Sequence, residues 1–146
     1  MIEYTVKVFE NKTEWYLNGQ LHRKNGPAIE FAIGTKSWYL NGKRHREDGP
    51  AIEYANGDKT WYLNGEQHRE DGPAFECADG TKIWYLNGRL HREDGPAVEW
   101  ANGTKDYWLN GENLSETEFN KRTKTKELTV NEIESLLGYK IKIVGE

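Results

Sequence analysis

Trp38-Tyr39-Leu40-Asn41-Gly42-Lys43-Arg44-His45-Arg46-Glu47-Asp48-Gly49-Pro50-Ala51-Ile52-Glu53-Tyr54 is a complete motif, and at Trp61 the same wording starts again. Outward from it, Trp15, Trp38, Trp61 and Trp84 stand 23 residues apart, and Tyr107 falls in the same phase. A period this regular means an array in which each unit buries its apolar face against its neighbours. Such an array grows in one dimension, so the 146-residue length does not count domains.

Asn56-Gly57 and Asn64-Gly65 flank an aromatic-rich run, and Asn-Gly between alternating residues is a strong hairpin signal. Treated as two-residue loops, they set Ile52 opposite Trp61 and Glu53 opposite Thr60, then Leu63 opposite Glu66, Tyr62 opposite Gln67 and Trp61 opposite His68. Ile52, Trp61 and His68 then share one face, and Glu53, Thr60 and Arg69 the other. Val6 takes the slot of Ile29 and is expected opposite Trp15. Asp48-Gly49-Pro50 closes the unit: glycine permits a positive φ, and proline lacks the donor a central strand needs.

The expected fold is therefore mainly β: an elongated single-sheet antiparallel β-hairpin repeat array with a small α/β C-terminal cap. Residues 1–14 form a half-repeat cap, repeats begin at 15, 38, 61, 84 and 107 and run to 114, and 115–146 close the chain. Two strands per repeat at ~4.8 Å each predict a ribbon roughly 50 Å long. In the tail, Ser115 with Glu118 and Thr129 with Glu132 are capping boxes that predict helices over 116–122 and 130–137. Gly138 is a C-cap, and 139–144 alternates like a strand.

A net charge of -4 argues against duplex DNA, which requires a basic face. One cysteine, Cys77, excludes an intramolecular disulfide scaffold. No run is apolar enough to span a bilayer and the first residues do not open a signal peptide, so the expected location is cytoplasmic.

The histidines of His-Arg-Glu-Asp sit beside Trp38, Trp61 and Trp84, where packing with one hydrogen bond is expected rather than metal ligation. Equivalent histidines ~10 Å apart are too distant to share a metal, so no metal site is expected. No phosphate loop or nucleophile elbow is present, and a repeat offers the same groups in every copy rather than unlike groups in one pocket. The expectation is no enzyme, no catalytic residues and no cofactor. Cys77 fills a slot that is Phe31, Tyr54 and Trp100 elsewhere, which suits a core position.

The opposite face carries the column Tyr16, Tyr39, Tyr62, Tyr85 and Trp108. Tyrosine, tryptophan and arginine are enriched at interface hot spots, so Tyr39, Tyr62, Tyr85 and Trp108, with Arg46, Arg69, Arg92, Glu53 and Glu76, are the expected partner-binding residues. The same residues also suit a plain sheet surface with cross-strand pairs. The Trp/Ile/Leu face is wider than the few hundred Å² that a soluble monomer leaves bare, which predicts cover by a second chain, as in a homodimer.

The spacing Asn-Gly-x-x-His, as in Asn41-Gly42-Lys43-Arg44-His45 and Asn64-Gly65-Glu66-Gln67-His68, resembles the MORN repeat over residues 15–111. Where a usual MORN unit continues with Gly-x-Gly, this chain reads Arg46-Glu47-Asp48-Gly49-Pro50-Ala51, a variant. That wording, with the ending at 136–143, resembles small proteins of tailed bacteriophages, and the repeat alone resembles giant-virus repeat proteins. The resemblance implies a protein-binding scaffold. A phage origin implies a protein that seizes a bacterial host factor in the host cytoplasm, as an anti-defence inhibitor does. The expected function is a non-enzymatic protein-binding module. Open alternatives are a nucleotide-binding or sequestering protein and a structural spacer or virion-associated protein.

Overall fold

The computed structural model describes residues 1–124 and 128–142. Its main element is a 12-stranded antiparallel sheet built in chain order: Thr5–Val8, Lys12–Leu17, Ile29–Phe31, Lys36–Ser37, Ile52–Glu53, Lys59–Thr60, Phe75–Glu76, Lys82–Ile83, Val98–Glu99, Lys105–Leu109 and Glu112–Leu114. Gln20–Leu21 pairs beside Lys12–Leu17. The strand opening the array pairs as expected, with Val6 opposite Trp15.

The three middle repeats leave this sheet at Trp38, Trp61 and Trp84. The Trp61 N–H donates to Ala74 O of the following strand (2.8 Å), while Trp61 O accepts the His68 N–H (3.2 Å). Beyond that branch point Tyr62–Leu63 and Glu66–Gln67 form a small hairpin of their own, repeated as Tyr39–Leu40 with Lys43–Arg44 and as Tyr85–Leu86 with Arg89–Leu90. The repeats therefore make two ranks, a continuous sheet and a row of hairpins beside it. Sparse backbone bonds tie hairpin to hairpin: Gly65 N–H to Arg44 O (2.8 Å) and Arg69 N–H to Tyr85 O (3.1 Å).

The two Asn-Gly turns differ. At Asn64-Gly65 both residues are left-handed (φ 51° and 88°), a primed two-residue turn that sets Tyr62 opposite Gln67 and Leu63 opposite Glu66, as expected. At Asn56-Gly57 only the glycine has positive φ (95°); Gly57 N–H bonds Tyr54 O (3.0 Å) and Tyr54 N–H bonds Asp58 O (2.9 Å). That is a three-residue loop ending in a left-handed glycine, which moves the register by one. Ile52 faces Thr60 and Glu53 faces Lys59, correcting the expected facing of Ile52 with Trp61.

The corrected register runs as two clean rows across the sheet. One is Ile29, Ser37, Ile52, Thr60, Phe75, Ile83 and Val98, of which Ile29, Ser37, Ile52, Thr60 and Val98 are buried. The adjacent row alternates Glu30, Lys36, Glu53, Lys59, Glu76, Lys82, Glu99 and Lys105, opposite charges at every step. Ala28, Ala51, Ala74 and Ala97, all without exposed surface, complete a thin core. The apolar face expected to need cover by a second chain is thus divided: most of the isoleucine row is buried within the chain, while Phe75, Ile83 and the tryptophans and leucines of the hairpins stay half-buried.

Helix α1 (Glu116–Thr123) and helix α2 (Val130–Leu137) fall where the caps predict them. Ser115 accepts the Glu118 N–H, and Thr129 with Glu132 forms the full reciprocal box. Gly138 ends α2 with φ 74°. α1 buries Phe119 against Tyr107, ring centres 4.9 Å apart, and Arg122 grips Glu112 through both carboxylate oxygens (2.9 and 3.2 Å). Tyr139, Lys140, Ile141 and Lys142 form no strand, and the rest of the strand expected over 139–144 lies outside the described residues. No helix among the described residues is long and apolar enough to cross a membrane.

Candidate functional site

Alternation within each hairpin gives it two sides. Trp61, Leu63 and His68 face one way, Tyr62 and Gln67 the other. On the first side the His-Arg-Glu-Asp-Gly-Pro segments stand up as walls between hairpins. The guanidinium of Arg46 lies 4.0 Å from the Trp38 ring centre, that of Arg69 lies 4.1 Å from Trp61, and that of Arg92 lies 3.9 Å from Trp84. Each arginine is also a clamp. Arg69 Nε donates to Asp71 (2.8 Å), and Arg69 Nη1 donates to Pro73 O (3.2 Å) and to Glu76 (2.9 Å). Arg46 does the same with Asp48, Pro50 and Glu53, and Arg92 with Asp94, Pro96 and Glu99.

Arg46, Arg69 and Arg92 therefore stand over the tryptophans, not across the sheet from them, and Glu53 pairs with Arg46 rather than Arg69. Both corrections follow from the chain leaving after His68: the Arg69 N–H bonds Tyr85 O of the next hairpin instead of continuing opposite Thr60, whose neighbour is Phe75. The arginine side chains are only 21–23% exposed, so their forks serve the fold before any partner. The clamp also explains the glycine of Asp-Gly-Pro. Gly49 has no positive φ; a Cβ there would meet Arg46 Cζ at 2.9 Å, so the residue is needed for closeness and not for backbone freedom.

The arginine hydrogen bond holds the carboxyl groups of Asp48, Asp71 and Asp94 below the usual aspartate range. The histidines tie one repeat to the next. His45 Nδ1 accepts the Asn64 N–H (3.0 Å), His68 Nδ1 the Asn87 N–H (3.1 Å) and His91 Nδ1 the Asn110 N–H (2.9 Å). An Nδ1 that accepts leaves the proton on Nε2, which in each copy points to a glutamate: 3.6 Å to Glu47, 3.6 Å to Glu70 and 3.5 Å to Glu93. Among the described residues no group of three or more His, Cys, Asp or Glu is arranged to hold a metal ion. Burial, then Asp58 and Asp79, push the Cys77 thiol up, away from thiolate character.

Between successive walls lie open clefts. One of about 540 Å³ is bounded by the 46–50 and 69–71 segments over Trp61 and Leu63. Its copy one repeat on, about 780 Å³, lies over Trp84 and Leu86. An earlier one, about 640 Å³, lies over Trp38 and Leu40, with Lys24 and Asn25 in place of the later Glu-Asp pair.

On the other side, Tyr16, Tyr39, Tyr62, Tyr85 and Trp108 recur once per repeat, all half-buried. Arg44 bridges the column, its guanidinium 5.9 Å from Tyr39 and 5.4 Å from Tyr62. Burial first, then Tyr62, raises the Tyr85 hydroxyl above its ordinary range. The Trp108 indole N–H is buried without a hydrogen-bond partner among the described residues. The column is legible in the sequence as one aromatic per repeat; Arg44 and the clefts on the tryptophan side are not. The recurrence of arginine seven residues before glutamate at Arg23/Glu30, Arg46/Glu53, Arg69/Glu76 and Arg92/Glu99 was the available signal for the clamp. No protein-family model matches this chain, and no curated protein matches it.

Proposed function

We propose that this chain is a non-enzymatic protein-binding array, a MORN-like variant, whose partner lies along Tyr39, Tyr62, Tyr85 and Trp108. The observation that supports it most is the bridging of Tyr39 and Tyr62 by Arg44. Half-buried aromatics with an interleaved guanidinium lose little side-chain freedom on contact. Arg46, Arg69 and Arg92 with Glu53 and Glu76 act in this reading as a preorganised frame more than as direct contacts. α1 closes the array, and the exposed Leu136 and Leu137 of α2 offer a second contact. The most specific form of the proposal is a phage-encoded protein that captures a bacterial host factor, including a defence component.

The test is a pull-down from bacterial lysate with the wild-type chain and with Tyr62→Ala/Tyr85→Ala, both checked for native circular dichroism. The expected result is a saturable protein partner retained by the wild type and released by the double variant. A partner held equally by both forms, or none at all, overturns the reading.

A further inference from the structure

The tryptophan side of the hairpins carries an unbalanced charge that recurs with the repeat. In each wall the aspartate is bonded to the arginine, whereas Glu47, Glu70 and Glu93 are 81–84% exposed and, among the described residues, pair with a histidine Nε2 at 3.5–3.6 Å. The clefts over Trp61 and Trp84 therefore share an acidic wall at Glu70, with Glu47 and Glu93 on their outer rims. A half-buried indole and a leucine form the floor of each. Arg46 and Arg69 stand against Glu47, Asp48, Glu70 and Asp71 around the first of these clefts, and Arg69 and Arg92 against Glu70, Asp71, Glu93 and Asp94 around the second. Each therefore stays net negative and favours a cation carried on an apolar stem beside the arginine-capped indole.

Spacing narrows the class of ligand. Two strands per repeat set successive clefts about 10 Å apart. An extended β segment advances about 10 Å in three residues, but its side chains alternate, so residues i and i+3 point to opposite faces. A polyproline II segment advances ~3.1 Å per residue with three residues per turn, so every third side chain returns to one face after about 9.3 Å. Of these two extended geometries, the second alone delivers side chains to both clefts together.

We propose that the two clefts over Trp61 and Trp84 bind a basic segment in polyproline II conformation, with lysine or arginine at two positions three residues apart. The first cleft is excluded from this role, because Lys24 stands where later repeats have glutamate. The chain's own tail supplies a precedent for what covers this side. At the fifth beat Tyr107 is covered by Phe119, and Arg122 of the same helix is anchored to Glu112, an aromatic and a cation docking together. The inference goes beyond the tyrosine stripe: it gives the other side of the same hairpins its own ligand, so either can fail alone.

The experiment titrates the full chain with three synthetic peptides followed by tryptophan fluorescence and calorimetry: proline-rich with lysine at every third position, the same composition with lysine at every fourth, and the first with glutamate for lysine. The expected result is saturable, salt-weakened binding of the first peptide, roughly tenfold or more weaker binding of the second, and none of the third. Glu70→Lys, which reverses the wall common to both clefts, is expected to reduce affinity for the first peptide at least about tenfold with the fold intact. Equal binding of the first two peptides, an unchanged affinity in Glu70→Lys, or no saturation by roughly millimolar peptide overturns the proposal.

Discussion

The continuous sheet and the row of hairpins are cut from the same repeat but are held by different forces. In the sheet, backbone bonds run strand to strand and the buried side chains are small or apolar: Ala51 and Ala74 have no exposed surface, Ile52 is 4% exposed and Thr60 3% exposed. In the hairpins, strands are two residues long, and what fixes them is side-chain chemistry: arginine over tryptophan, histidine accepting from the next turn. The sheet should be sensitive to volume and tolerant of polarity at its rim. The hairpins should be sensitive to donor geometry and tolerant of volume, because open clefts adjoin them.

The largest effect should follow a volume change in the sheet. Ala74→Leu forces a longer side chain into a site without free surface, beside the backbone carbonyl that receives the Trp61 N–H. Denaturant unfolding should show a loss of about 2–3 kcal/mol, whereas Glu66→Leu, exposed on a hairpin, should change stability by less than ~0.5 kcal/mol. Similar losses at the two positions would mean that the two ranks do not differ in packing.

Donor geometry is tested next, at Arg69. Its fork serves Asp71, Pro73 O and Glu76 at once while covering Trp61. A lysine keeps the charge but has neither the planar face nor the fixed fork. Arg69→Lys is therefore expected to lose most of the roughly 1.5–2 kcal/mol that Arg69→Ala loses by urea unfolding. A lysine variant as stable as wild type would reduce the clamp to a charge effect.

The same contrast explains what could be read from sequence. Periodicity carries the array, the Val6 cap and the hairpin register, because each rests on local rules: alternation, and a turn whose two residues must both be left-handed. The second turn of the repeat escaped because Asn56-Gly57 spells the same dipeptide as Asn64-Gly65 while needing a positive φ at the glycine alone. The copies contain the distinction. Positions 18, 41, 64, 87 and 110 are always asparagine, the non-glycine residue that tolerates the left-handed region best. Positions 33, 56, 79 and 102 read Ile, Asn, Asp and Asn, and a β-branched isoleucine does not sit in that region. One missed residue in that loop misplaced Ile52 against Trp61, while the place of arginine escaped because the chain departs for the next hairpin after His68. The clefts also depend on how far the walls stand apart, a tertiary distance that no periodicity encodes.

The smallest expected effect separates the clamp's charge from its shape. Asp71 is exposed, and its carboxyl is held below the ordinary aspartate value first by the hydrogen bond from Arg69 and then by that residue's charge. A depressed folded-state pKa stabilises the fold above the unfolded value of about 3.9, and the contribution disappears as pH falls through the lower folded value. Asp71→Asn should thus unfold at slightly lower urea than wild type near neutral pH, and the two midpoints should converge by about pH 2. Added salt should narrow the neutral-pH gap, since the pair faces water. A gap that persists in acid would assign the residue's role to the shape of the Asp-Gly-Pro turn, leaving the tryptophan-side walls standing without their outer ion pair.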